Sequence, residues 1–255
     1  MFIDTHFHLG YQPDFYYPDV PLKNCLIKMD KLNIAKCINA HNVALLMGEL
    51  RKGMEECKNI YENSEGRIIS YLIFNPKRGK KCIQIMDEYL DKKIFKGIKI
   101  HPSIHRVYAD DQLYDKVWKY AADKGIPIMS HTWEISDYNP IQKFSFPPRF
   151  ENYIKNYPNV TFICGHAGGR YKGILECVKL LKKYNNVYAD VAGDVYNNNL
   201  IKYLVENVGS DKILFGSDGI WVNWNTRLGM ILNADILMED KENILFKNAK
   251  RLFEI

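Results

Sequence analysis

Eight short β-like runs recur along this chain, and stretches with apolar residues at helical spacing lie between them. The runs span residues 2–8, 35–40, 68–74, 95–101, 126–131, 160–166, 187–191 and 213–217. Between them, residues 22–32 carry Leu22, Leu26, Met29 and Leu32, and residues 113–122 carry Leu113, Val117, Tyr120 and Ala121. Residues 174–181 and 200–208 behave likewise, and such spacing lays one apolar stripe along a helix. Gly125-Ile126-Pro127 and Tyr157-Pro158-Asn159 stop a helix just before a strand. Strand and helix alternate without a linker or a shift of composition, which predicts one α/β domain over residues 1–255, a (β/α)8 TIM barrel. Residues 241–255 read as a closing helix that buries Ile244, Leu245, Ala249, Leu252 and Phe253. A doubly wound sheet would carry a glycine-rich phosphate turn after its first strand. Here that place holds His6-Phe7-His8.

Composition sets the class. With 47% hydrophobic and 25% charged residues, the chain reads as an ordinary soluble protein. No apolar run approaches the roughly 18 residues that span a bilayer, so no membrane partner is expected. The first strand begins at Met1 or Phe2, which leaves no room for a leader and predicts a cytoplasmic location. The six cysteines are scattered with no Cys-x-x-Cys pair, as for reduced, buried thiols. A net charge of +5 is mild, and lysines such as Lys179, Lys182 and Lys183 spread over helix faces. That pattern argues against a nucleic-acid partner and leaves a small-molecule substrate. Residues 11–20 and 137–148 read as long loops over the barrel mouth, where loops carry function. The aromatics of the first of these suit either a substrate lid or a homodimer interface.

His6 and His8 lie one residue apart on an extended segment, so they point the same way. Their imidazoles can converge on one divalent metal. Of the seven histidines, His6, His8, His101, His131 and His166 fall at the ends of expected strands one, four, five and six. Asp218 arrives at the end of strand eight. In a parallel barrel those ends gather round one mouth, where active sites sit. A metal site is expected there. His41 and His105 read as loop histidines, and Asp194 stands out in no way.

At this point the sequence resembles the amidohydrolase superfamily, in its amidohydrolase-2 branch, which includes the aminocarboxymuconate-semialdehyde decarboxylase-like enzymes. The resemblance runs over nearly the whole chain. It rests on Asp4-Thr5-His6-Phe7-His8, Gly97-Ile98-Lys99-Ile100-His101-Pro102, Ser130-His131-Thr132, Cys164-Gly165-His166-Ala167-Gly168-Gly169 and Phe215-Gly216-Ser217-Asp218. It implies that His6, His8, His131 and Asp218 are ligands of one catalytic divalent metal, with zinc the first choice. His166 matches a strand-six histidine that either binds a metal or acts beside it as acid/base and charge stabiliser. Asp218 would also accept a proton from activated water, and a bound zinc ion lowers the pKa of water to about 7.

Lys99 shares strand parity with His101, so both face the barrel interior, where an unpaired amine is costly. In dinuclear members of the superfamily a strand-four lysine is carboxylated and bridges two metals. The other readings are a substrate contact and an ion pair with Asp218 or a nearby carboxylate; all three stay open. His101 reads as substrate-facing or as a satisfied core histidine. Arg170, Trp133 and Trp221 follow strands six, five and eight and are candidates for the pocket wall, the arginine as a fork for a substrate carboxylate.

The first functional reading is a metal-dependent hydrolase that attacks an amide, lactone or ester of a small molecule. The alternative is a decarboxylase on the same ligand set, although the chain is shorter than typical members of that branch and has fewer loops for an aromatic-acid pocket. A TatD-like nuclease would need a glutamate where Lys99 stands. A non-catalytic binding barrel would have no use for this set of ligand-type residues.

Overall fold

The computed structural model describes residues 1–12 and 20–255. Eight parallel strands follow one another round one sheet in chain order. They are β1 (Phe2–Phe7), β2 (Ile34–Asn39), β3 (Ile68–Ile73), β4 (Phe95–Ile100), β5 (Ile128–His131), β6 (Phe162–Gly165), β7 (Val187–Asp190) and β8 (Ile213–Leu214). Helices between the strands cover the outside, so both faces of the sheet are buried and the strands read as apolar runs. β3 is the extreme case, with all six residues buried. The fold is a (β/α)8 barrel.

The seam between β8 and β1 closes the ring with few bonds. The Thr5 N–H donates to the Phe215 carbonyl at 2.9 Å and the Asp218 N–H to that of His6 at 2.8 Å. Phe7 bridges Gly219 just beyond. The expected strand 213–217 is therefore paired to β7 only through its first residues, and the rest turns toward β1. Asp4 pins this turn. Its carboxylate accepts from the Ser217 hydroxyl at 2.5 Å, the Ser217 N–H at 3.0 Å and Trp224 Nε1 at 2.5 Å. Burial pushes the Asp4 carboxyl up to about 7, against the pull of these donors.

Tyr71 fills the barrel interior below the site, its hydroxyl donating to the Thr5 carbonyl at 2.7 Å. Gly97 makes room for it: a Cβ there would stand 3.0 Å from both the Tyr71 ring and the Pro127 carbonyl. Each buried Leu, Ile or Phe of such a core contributes about 1.5–3 kcal/mol. The helix at Asp115–Lys124 stops at Gly125 in the left-handed region, as the Gly-Ile-Pro signal requires.

The closing helix begins three residues earlier than expected, at Met238, and holds a π-helical turn at Asn243–Lys247 before Asn248–Phe253. Ile244, Leu245, Ala249 and Phe253 are buried, Leu252 half-buried. The expected loop 137–148 contains 3-10 turns at Pro140–Ser145 and Pro147–Phe150. A proline opens each, with φ already set for a helical turn. The expected loop 11–20 falls mostly on residues 13–19, outside the described residues. All six cysteines are buried and none forms a disulfide among the described residues. Among the described residues, no helix is long and apolar enough to cross a membrane.

Candidate metal centre

His6 and His8 are fixed by what their outer nitrogens touch. Nδ1 of His6 lies 2.9 Å from Oδ2 of Asp190, the last residue of β7. Nδ1 of His8 donates to the Ala40 carbonyl at 2.8 Å. A carbonyl or carboxylate can only accept, so the proton sits on Nδ1 and the lone pair on Nε2 in each ring. Both Nε2 atoms face Oδ1 of Asp218, at 3.5 Å for His6 and 3.2 Å for His8. That oxygen is buried and has no aligned hydrogen-bond partner among the described residues. Burial lowers the basicity of both imidazoles, despite the carboxylates beside them, so the rings stay neutral. The three donor atoms lie within 4.8 Å of one another. Two lone pairs and a carboxylate oxygen aimed at one point repel unless a cation lies between them, and nitrogen–oxygen donors suit zinc or manganese.

Lys99 is close to that point. Its amine stands 2.5 Å from Nε2 of His6 and 3.6 Å from the Met129 sulfur. Burial pulls the amine down to about 8, with Asp190 and Asp218 opposing. Of the three readings left open by sequence, none named this contact with a histidine.

Two turns at the mouth are strained. His166 and Ala167, just after β6, have φ of +61° and +48°, and Asp218, after β8, has φ of +63°, each on the order of 1–3 kcal/mol above a relaxed backbone. Such strain clusters where side chains are held for function. The His166 N–H donates to Oδ1 of Asp190 at 2.9 Å, and its Nε2 lies 3.0 Å from Nδ1 of His131. Its Nδ1 is buried, has no hydrogen-bond partner among the described residues, and packs against Gly193. Burial takes the His166 ring down to about 4.

His131 stacks between His101 at 4.0 Å and Trp133 at 5.7 Å between ring centres. Trp221 stacks on His8 at 4.1 Å. Arg170 lies at the rim, over the Tyr138 ring at 5.0 Å and 3.4 Å from Asp194. All ten residues singled out by sequence, His6, His8, Lys99, His101, His131, Trp133, His166, Arg170, Asp218 and Trp221, line one cavity of about 480 Å³. His131 stands apart from the tight set of His6, His8 and Asp218, since its nitrogens meet His166 and Gln142.

Sequence reasoning missed Asp190. It ends β7 as the other site residues end their strands, so the same rule would have found it. A second set of close donors, His6, His166 and Asp190, includes it. Its oxygens are already taken by His6 Nδ1 and by the His166 and Ala192 N–H groups, so it orients the His6 ring and the turn that carries His166. Burial raises the Asp190 carboxyl, but His6, His166 and these donors outweigh it and hold the group well below the usual range. Asp194, passed over by sequence, pairs with Arg170. His41 lies in the loop after β2, as expected, whereas His105 ends the short helix Pro102–His105; both are buried, His41 with Nε2 3.2 Å from Glu56.

The comparisons with known proteins agree with this geometry. A family model described as amidohydrolase, the amidohydrolase-2 family, matches residues 60–255. The chain belongs to that family. It is an enzyme of the amidohydrolase superfamily. No curated protein matches its sequence. Among solved structures it resembles a 5-carboxyvanillate decarboxylase from Novosphingobium aromaticivorans, complexed with manganese and 4-hydroxy-3-methoxy-5-nitrobenzoic acid. The TM-score is 0.78 at 14% identity, over 100% of this chain and 96% of the other. A 2,6-dihydroxybenzoate decarboxylase from Rhizobium gives a TM-score of 0.73 at 16% identity, over 99% of this chain and 98% of the other. A dihydroxybenzoic acid decarboxylase from a Polaromonas species, with manganese and 2-nitroresorcinol, gives 0.72 at 15%, over 99% and 96%. At these identities the likeness is one of fold.

Proposed function

We propose that this amidohydrolase-family enzyme is a metal-dependent decarboxylase of a small, planar carboxylic acid. The observation that carries the reading is the aromatic lining of the cavity that holds the donor cluster: Trp221 stacked on His8, and His101, His131 and Trp133 stacked on one another. Such a lining suits a ring, and the cavity's volume lies within the range of ordinary ligand pockets. The chain's modest length has not removed the pocket. The resemblance to decarboxylases of hydroxylated benzoic acids adds support.

His6, His8 and Asp218 would hold one divalent ion, zinc or manganese, with His131 beside them. When bound, the ion supplies Lewis acidity that gathers the substrate's oxygens and stabilises negative charge. The rest is done by side chains. Arg170 at the rim offers a guanidinium to an anionic group, and the tryptophans orient the ring and exclude water. The bond between ring carbon and carboxylate breaks, carbon dioxide leaves with its electron pair left on carbon, and a proton must take its place. That proton comes ultimately from solvent, and His166, neutral and buried beside the cluster, is placed to relay it, taking one up at one ring nitrogen as it gives one from the other. The buried cysteines, none of them in a disulfide among the described residues, support a cytoplasmic location.

Hydrolysis is the second reading, favoured by the place of one carboxylate: Oδ1 of Asp218 stands 3.5 Å and 3.2 Å from Nε2 of His6 and His8, where it would face a water activated at the same centre. Zinc- and manganese-loaded enzyme should be offered hydroxybenzoic acids, with carbon dioxide release and ultraviolet absorbance followed, and a parallel set of esters, lactones and amides. Carbon dioxide release that disappears in Asp218→Asn supports the decarboxylase. Cleavage of an ester, lactone or amide with no carbon dioxide from any acid overturns it in favour of the hydrolase.

A further inference from the structure

Gln142 comes from the 3-10 turn that follows β5, a stretch that sequence marks only as loop. It is buried, and its Oε1 lies 2.8 Å from Nε2 of His131. The same oxygen accepts from the Ser103 hydroxyl at 3.0 Å. Ser103 and Ser145 pair through their hydroxyls at 2.6 Å, and the Ser103 N–H donates to Ser145 Oγ at 3.0 Å. One assignment of protons satisfies all of these contacts. Ser145 donates to Ser103, Ser103 donates to Gln142, and every hydroxyl proton has an acceptor. With the amide reversed, Ser103 would give its proton to Ser145, and the Ser145 hydroxyl would be left without an acceptor in this set. The carbonyl oxygen of Gln142 therefore faces His131.

A carbonyl oxygen cannot donate, so His131 must carry its proton on Nε2. Nδ1 is then the lone-pair nitrogen, 3.0 Å from Nε2 of His166. His131 is thus inverted relative to His6 and His8, whose lone pairs sit on Nε2. We propose that Gln142 is a positioning residue for the centre: through its carbonyl it fixes the tautomer of His131 and so turns Nδ1 toward His166 and the donor cluster. It plays for His131 the part that Asp190 plays for His6 and the Ala40 carbonyl for His8. Ser103 and Ser145, brought from the turn after β4 and from the same 3-10 segment, hold the amide in that orientation. Outer partners of this kind typically change metal affinity or activity 10- to 100-fold when removed.

The proposal rests on the proposed metal-dependent reading only for its affinity consequence; the tautomer is a property of the chain by itself. The test uses the full chain labelled with 15N-histidine and stripped of metal, observed by long-range proton–nitrogen correlation, with His131→Gln used to assign the resonances. The expected result is a His131 ring protonated at Nε2 and bare at Nδ1. Gln142→Leu should give a mixture of tautomers and bind zinc 10- to 100-fold more weakly in competition with a chromogenic chelator, while Gln142→Glu, which keeps an acceptor oxygen, restores both. A wild-type His131 protonated at Nδ1 overturns the proposal, even if Gln142→Leu fails to fold. So does a folded Gln142→Leu with an unchanged His131 spectrum. If the spectra behave as expected but neither protein binds zinc or manganese, the metal-dependent reading fails and the tautomer assignment stands.

Discussion

The amine of Lys99 stands 2.5 Å from Nε2 of His6, the nitrogen that Asp190 turns toward the centre of the barrel mouth. On the proposed metal-dependent reading, lysine and a metal ion compete for one lone pair, and a bridge between two ions would require the side chain to leave His6.

Elemental analysis of protein purified without chelator should therefore find one divalent ion per chain, in the wild type and in Lys99→Ala alike. Lys99→Met, which keeps the volume and removes the competing amine, should bind zinc at least as tightly as the wild type. Two ions per chain, falling to one in Lys99→Ala, would show that the lysine is a bridge.

Asp190 connects three parts of the site, through His6 Nδ1 and the N–H groups of His166 and Ala192. Asp190→Ala leaves those donors buried without an acceptor, which costs about 1–3 kcal/mol for an unsatisfied group. The His6 ring also loses its orientation, and metal affinity should fall roughly 10- to 100-fold. Urea unfolding and chelator competition measure the two effects separately. Tight metal binding in a folded Asp190→Ala would refute the orienting role.

Gly193 is the contact surface of His166. Its φ is +86°, and a Cβ would stand 2.5 Å from His166 Nδ1. Gly193→Ala should add about 1–2 kcal/mol of backbone strain and push the imidazole off its position. A displacement on the order of 1 Å at a catalytic group lowers turnover by about 100-fold. Steady-state kinetics on the substrate found in the acid screen, with circular dichroism to confirm folding, check this. Turnover close to wild type would show that the His166 position is immaterial.

His105 gives the stability a pH dependence away from the metal cluster. Neither of its ring nitrogens has a hydrogen-bond partner among the described residues. Burial, with a smaller push from Lys77, takes its pKa from 6.5 down to about 3. Between those values the unfolded chain binds a proton that the folded chain refuses. The contribution is therefore fully present above pH 6.5 and is lost as pH falls toward 3, with a slope on the order of 1 kcal/mol per pH unit. Urea midpoints at pH 7 and pH 5 should differ more in the wild type than in His105→Gln. Equal differences would show that another group sets the acid limit.

The barrel was legible in sequence because its signals are local. Short β-like runs, period-3.6 patterns between them, the helix stops at Gly125-Ile126-Pro127 and Tyr157-Pro158-Asn159, and histidines at strand ends can all be read within a dozen residues. The ten expected site residues meet in one cavity because the topology of a parallel barrel brings all strand ends to one rim. What each nitrogen does there is not a local property. His6 takes its tautomer from Asp190, 184 residues away, and His8 takes its own from Ala40, 32 residues away. His131 is set by a glutamine that sits in what reads as loop, and Lys99 settles on a histidine because both project into the same few ångströms of interior. Sequence thus determined the fold and which residues share the mouth. Only the tertiary structure decided which lone pairs converge, because that depends on side-chain contacts between segments that are neighbours only after the barrel has closed.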